Sequence, residues 1–106
     1  MEKGLRAIVK EPGKAAEIRT IPNTLEDLQE IVGGYIEVVR FAEDCAVIVN
    51  EEGKLQGLPA NMWFCGDILC GNVVFVGVTG DEFCGLSDSL VEILSGWLGE
   101  IKGVGK

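Results

Sequence analysis

Residues 20–64, TIPNTLEDLQEIVGGYIEVVRFAEDCAVIVNEEGKLQGLPANMWF, decide how this chain folds. Asn23 stands three residues before Glu26, and Thr24 three before Asp27. Either pair can satisfy the free N–H groups of a first helical turn, where acids also suit the helix dipole. Leu25, Leu28, Ile31 and Val32 recur at helical spacing on one side, with Glu26, Asp27, Gln29 and Glu30 on the other. Gly33-Gly34 ends the helix, because glycine takes the left-handed cap without a Cβ clash. Tyr35 to Phe41 is rich in β-formers and apolar on both faces, which predicts a central strand. Cys45 to Val49 is apolar at every position, the mark of a strand covered on both sides. Asn50 to Lys54 predicts a hairpin turn with Gly53 at positive φ. Leu55 to Leu58 would then return along the sheet, until Pro59 ends the pairing for want of an N–H.

On either side of this stretch the pattern stays readable. Leu5 to Val9 is β-prone, Glu11-Pro12-Gly13-Lys14 is a turn, and Ala16 to Ile21 alternates like a strand with one wet face. These form an N-terminal hairpin. Ala60 to Cys70 is the least regular segment. Val73 to Val78 is another strand, closed by Thr79-Gly80-Asp81. Residues 85–89 start a second helix with Ser87 or Asp88 as cap, and Leu90, Val91, Leu94, Trp97 and Leu98 form its apolar stripe. Gly96 and Gly99 weaken its end, and a flexible tail is expected over about 100–106. The sum is a single α+β domain over 1–106: a mostly antiparallel sheet of five or six strands with two helices packed on it.

Composition removes several functions. Seventeen acidic residues against nine basic ones give a net charge of −8. Phosphate contacts depend on Lys and Arg, so direct nucleic-acid binding is not expected, nor docking on an anionic membrane. No apolar run reaches the ~20 residues of a membrane span. The longest, Trp63 to Val78, is broken by Gly66, Asp67, Gly71 and Asn72. The N-terminus MEKGLRAIVKEPG lacks the core of a secretion signal, and the chain reads as cytoplasmic. Cys45, Cys65, Cys70 and Cys84 contain no C-x-x-C pair, and there is no histidine to complete a zinc site. They read as reduced, packing cysteines, with no metal and no cofactor expected.

Residues 23–39, NTLEDLQEIVGGYIEVV, and 49–61, VNEEGKLQGLPAN, closely resemble a family of small proteins of unknown function. That family is encoded in low-GC Gram-positive bacteria, often on phages, plasmids and conjugative elements. The likeness extends more weakly through LRAIVKEPGK and VVFVG to cover most of the chain. It implies membership and a genomic setting, but no activity, because the family has no assigned chemistry. Its members commonly continue LPxN with Arg. Here Asn61 is followed by Met62, so no cationic role is carried to that position.

A catalytic toolkit is missing from the residues themselves. Without histidine there is no Cys–His or Ser–His pair. Glu43-Asp44 and Glu51-Glu52 flank one strand of ~6 residues, about 20 Å apart, too far to share one acid–base site. No GxGxxG or Walker sequence exists, and Gly99 to Gly103 reads as a fraying tail. The polar groups that best suit a ligand are Asn50 and Asn61, with Tyr35, Glu37 and Trp63. Two amides and an aromatic could recognise a planar polar ligand in a shallow pocket, although turn chemistry explains both asparagines as well. The leading expectation is a non-enzymatic binding module of a mobile element that holds a partner protein or a small molecule, and that pairs into a homodimer through an open sheet edge. An acidic decoy of a nucleic-acid-binding protein, and a small enzyme using Cys or carboxylate chemistry, are the alternatives.

Overall fold

The computed structural model describes residues 4–103. In chain order the elements are β1 (Leu5–Lys10), β2 (Ala16–Ile21), α1 (Leu25–Val32), β3 (Ile36–Ala42), β4 (Cys45–Asn50), β5 (Ala60–Phe64), β6 (Asp67–Cys70), β7 (Val73–Thr79), β8 (Glu82–Cys84), α2 (Asp88–Leu98) and β9 (Ile101–Lys102). The class is the expected α+β with two helices. The strands are more numerous than five or six, since short segments at 60–70, 82–84 and 101–102 also pair. Seven strands form one sheet in the order β3-β4-β7-β1-β2-β9, with β8 on β7, while β5 and β6 form a separate two-stranded sheet. All pairings are antiparallel except β2 with β9.

Every residue of β4 is buried, as its unbroken apolar run predicts. Its side chains alternate between two clusters. Cys45, Val47 and Val49 join Ile8, Phe75, Val91 and Leu94 on the face covered by α2 and the β5–β6 hairpin. Ala46 and Ile48 join Ala7, Val9, Leu28, Val32, Val74 and Val76 on the face covered by α1. The N-terminal hairpin forms as expected, with Leu5 opposite Ile21 and Val9 opposite Glu17.

Both helix caps follow from the sequence. Thr24 is the α1 cap, its hydroxyl oxygen accepting from the Asp27 N–H at 3.1 Å. Ser87 caps α2 in the same way from Leu90 N–H. Gly33 takes the left-handed conformation at φ 84° and donates to Gln29 C=O. The last turn of α1 holds no basic side chain, so its remaining carbonyls need other donors. The sheet supplies them: Asn50 Nδ2 donates to Val32 C=O at 3.2 Å, and Asn72 Nδ2 to Ile31 C=O at 2.9 Å.

Four expectations are corrected. β3 is an edge strand and not a central one, and none of its residues is buried. Its apolar groups on both faces reach the rims of two layers: Val39 and Phe41 pack towards α2, and Ile36 towards α1. Residues 51–57 form successive turns, and Leu55 to Leu58 do not return along the sheet. Leu55 is 88% exposed, so nothing holds it against the sheet. The left-handed glycine there is Gly57, at φ 73°, and not Gly53. The tail expected over 100–106 is in part structured, because buried Ile101 pairs with Ala16; Val104, Gly105 and Lys106 lie outside the described residues.

Asn50 also accepts from Glu52 N–H at 2.7 Å, so its amide joins α1, β4 and the following turn. Replacing it by Ala strands the Val32 carbonyl and the Glu52 N–H. A loss of about 1–3 kcal/mol in unfolding free energy is expected, read from the shift in urea midpoint. An unchanged midpoint would show that the amide does not hold these elements together.

Candidate functional site

The turn after β4 and the β5–β6 hairpin flank a concavity. Glu52 N–H bonded to Asn50 Oδ1 starts the turn, and Gly53 N–H to Asn50 C=O and Leu58 N–H to Gly53 C=O close it. Gly53 is closely approached, and a Cβ there would lie 3.1 Å from the Cys70 carbonyl. The hairpin opposite turns through Cys65 and Gly66, at φ 52° and 82°. Two consecutive positive φ values are the two-residue hairpin geometry that matches strand twist. Between the two lies a half-open cleft of about 360 Å³, lined by Glu37, Glu51, Glu52, Lys54, Asp67 and Ile68 among others.

Charge in the cleft is one-sided. Lys54 Nζ and Asp67 Oδ1 are 2.6 Å apart, and Ile68 N–H donates to the same oxygen. The Lys54 ammonium, aided by that N–H, holds the Asp67 carboxyl below the usual carboxylate range, and Asp67 raises Lys54 in return. Glu37, Glu51 and Glu52 have no ion-pair partner among the described residues. Elsewhere Arg6 pairs with Asp88, Lys14 with Glu11 and Arg19 with Glu17 and Glu11, while Lys10 donates to Asn61 Oδ1 and Arg40 to the Gly80 and Glu43 carbonyls.

The five residues singled out in the sequence do not share one pocket. Glu37 and Asn50 line the cleft. The Asn50 side chain, only 5% exposed, has all its polar atoms bonded within the fold, adding Gln56 to the partners above. Asn61 sits where the β5–β6 register shifts, and such a bulge re-aims a side chain. Its Nδ2 donates to Lys10 C=O at 2.9 Å and Gly71 C=O at 2.7 Å, while Lys10 Nζ donates to its Oδ1. Asn61 therefore fastens the hairpin to β1. Tyr35 is 70% exposed ahead of β3. Trp63, 69% exposed, lies with Met62, Phe64, Cys65 and Trp97 on a shallow aromatic surface.

Asp67 is, with Asn61 and Trp63, one of the functional groups that the irregular 60–70 segment offers, but nothing in the sequence marks Lys54, Asn72 or Trp97 as site or clamp residues. Lys54 and Asp67 are thirteen positions apart, and only the unforeseen β5–β6 hairpin brings them together. Trp97 belongs to the α2 stripe, yet its ring reaches Phe41 and Phe64 at centroid distances of 5.8 and 5.5 Å and stays half exposed. No group of three His, Cys, Asp or Glu among the described residues could hold a metal ion. No helix among them is long and apolar enough to cross a membrane.

The four thiols are free, but only some of them pack. Cys45 is buried, Cys70 and Cys84 are partly so, and Cys65 is exposed at the hairpin tip. Burial, with the Asp44 carboxylate second, pushes the Cys45 thiol up to about 11 from its ordinary 9.0. The thiolate is the nucleophile, so iodoacetamide should label Cys65 in the folded protein and leave Cys45 until unfolding. The folded value lies above the unfolded one. The stability contributed by keeping this thiol neutral is complete below pH 9.0 and is lost as pH rises towards 11. A melting temperature that falls less steeply across that window in Cys45→Ala is the expected sign.

Comparison with curated proteins and with solved structures gave no significant match. The model of the Domain of unknown function (DUF3846) family matches residues 5–98, which hold the sheet except β9, both helices and the cleft, and the chain belongs to that family.

Proposed function

We propose that the protein is a non-enzymatic binding module that takes a cationic group, an amine or guanidinium, into the cleft between the β4 turn and the hairpin. The observation that carries this is the imbalance of charge in a concavity of ligand size. Glu37, Glu51 and Glu52 line it without a basic partner, and its one lysine is held by Asp67. A cation there would gain charge-assisted hydrogen bonds from the carboxylates that line it.

An enzymatic reading lacks comparable support. A catalytic acid or base at neutral pH needs a pKa moved towards 7. Lys54 and Asp67 each move the other way, towards the charged form. The raised Cys45 thiol is a poor nucleophile. A nucleic-acid decoy would gather its carboxylates on one face. Here they stand at both ends of β4, as Glu43-Asp44 and Glu51-Glu52, and along α1 as Glu26, Asp27 and Glu30, which makes that reading the weaker. The likeness of residues 23–61 to proteins of phages, plasmids and conjugative elements supports a role for the module inside a bacterial host cell, in maintenance or counter-defence.

The test is an amide chemical-shift titration with argininamide, using uncharged acetamide as control. Shifts confined to residues 51–54 and 67–70, lost in the triple variant E37Q/E51Q/E52Q, are expected. Shifts that are absent, or that persist unchanged in the triple variant, would remove the cationic-ligand reading.

A further inference from the structure

The outer edge of β3 is free. Val78 N–H donates to Asp44 C=O, continuing the ladder in which Ala46 pairs with Val76 and Ile48 with Val74. Those residues of β4 therefore turn their backbone groups towards β7, which leaves Val47 and Val49 to bond β3. Their partners are Val39 and Glu37. The alternation of an antiparallel ladder then directs the N–H and C=O of Ile36 and Val38 outward, without strand partners. The bond from Glu51 N–H to Tyr35 C=O at 2.8 Å fixes the same parity.

Exposed apolar surface gathers along this edge. Tyr35 precedes the strand, Val38 is 44% exposed on its α1 side, and half-exposed Trp97 packs on Phe41 at its far end. Charge gathers there too, mostly acidic. Glu37, Glu51 and Glu52 stand at the start of β3, and Glu43 and Asp44 follow its end. Arg40, the one cation on the strand, is held by the carbonyls of Gly80 and Glu43.

We propose that the free edge of β3 takes an extended, lysine- or arginine-bearing segment of a partner protein, which adds a strand to the sheet and sends a basic side chain past Glu37 into the cleft. For that side chain the inference rests on the cleft reading above. Glu37 shares the hairpin-side face with Val39 and Phe41, because side chains alternate with period two and both hydrophobics pack on that cluster. An added strand therefore meets a carboxylate at one end of this face and the Phe41–Trp97 aromatics at the other, and an alternating basic and apolar sequence answers both. Backbone bonds give such augmentation its affinity, and the alternate side chains give it specificity. A second copy fits less well. Antiparallel pairing of β3 with its twin brings the Glu37, Glu51 and Glu52 end of each chain against Glu43 and Asp44 of the other, and like charges so placed are repulsive.

The probe is a Lys-Val alternating peptide of about ten residues, enough to span an ordinary strand, with a Glu-Val peptide as control. Hydrogen exchange should slow at the Ile36 and Val38 amides with the basic peptide only, and the effect should fade as salt rises. Val38→Pro removes an outward N–H, which an edge strand tolerates. It should weaken peptide binding by about tenfold or more, roughly 1.4 kcal/mol or more, while argininamide still binds the cleft. Should that variant fail to fold, the exchange measurement on the native chain decides. Peptide-induced shifts confined to the cleft, with Ile36 and Val38 exchanging as before, would overturn the edge proposal and leave the cleft reading standing. Slowed exchange at the edge with no response to argininamide would remove the cleft reading instead. Protection of Ile36 and Val38 that grows with protein concentration alone, with a light-scattering mass of two chains, would assign the edge to a second copy and overturn the proposal.

Discussion

A strand with an apolar side chain at every position has to be covered twice, and β4 imposes that demand on the whole molecule. Cys45, Val47 and Val49 look one way and Ala46 and Ile48 the other, with each residue of the strand buried. β7 repeats the pattern beside it: Val73 and Phe75 face one layer, and Val74, Val76 and Val78 the other. One helix of eight residues cannot cover both faces. The second face therefore falls to α2 and to the β5–β6 hairpin, which brings Phe64 and Leu69 to the cluster. The cleft exists because that second cover has two pieces. Where the hairpin ends and the turn after β4 begins, the layer is incomplete, and charged side chains line the gap.

The layers are registered by asparagines, and this is where polar chemistry sits in the fold. Asn50 and Asn72 bond the last carbonyls of α1, and Asn61 bonds Lys10 and Gly71 where the hairpin meets the sheet. Apolar burial is non-directional, so it would hold α1 against the sheet without fixing where along the sheet the helix ends. A buried carbonyl has a place and a direction. Each such bond contributes about 1 kcal/mol net, yet leaving its partner unmatched costs up to about 3. Against a total of about 5–15 kcal/mol for an ordinary domain, a few of these bonds decide the seating of the layers.

Features that depend on local physics were readable in the sequence. Thr24 and Asp27, Gly33, Ser87 and the Glu11–Lys14 turn each act within a few residues of themselves, and each forms as its residue types dictate. β4 was readable because complete apolarity has one meaning in a short strand. β3 was not, since apolar groups on both faces describe a covered central strand and a half-covered edge equally well. The β5–β6 hairpin escaped because its turn is Cys65-Gly66, and cysteine is not a residue whose presence signals positive φ. With the hairpin went the Lys54–Asp67 pair, and with that pair the cleft. Of the residues favoured for ligand contact, Asn50 and Asn61 have their amides occupied by bonds at a turn and a bulge. Glu37 keeps a place in the cleft because its strand partner, Val49, lines the same wall.

An exposed edge strand invites unwanted pairing, and proteins guard such edges with charge and with bulges. β3 has both: Glu37 and Arg40 lie along it, and its register with β4 shifts at Phe41, between Arg40 and Ala42. The carboxylates at either end extend that guard. In a chain of net charge −8, a second copy brings its own acidic ends to this edge, where Arg40 is the one cation on the strand. The barrier is therefore selective. It falls as the charge of the incoming strand becomes positive, and for a basic strand it turns into attraction. The features that keep the protein from adding to itself are the same ones that leave β3 open to a strand of opposite charge, so the edge needs no covering element of its own.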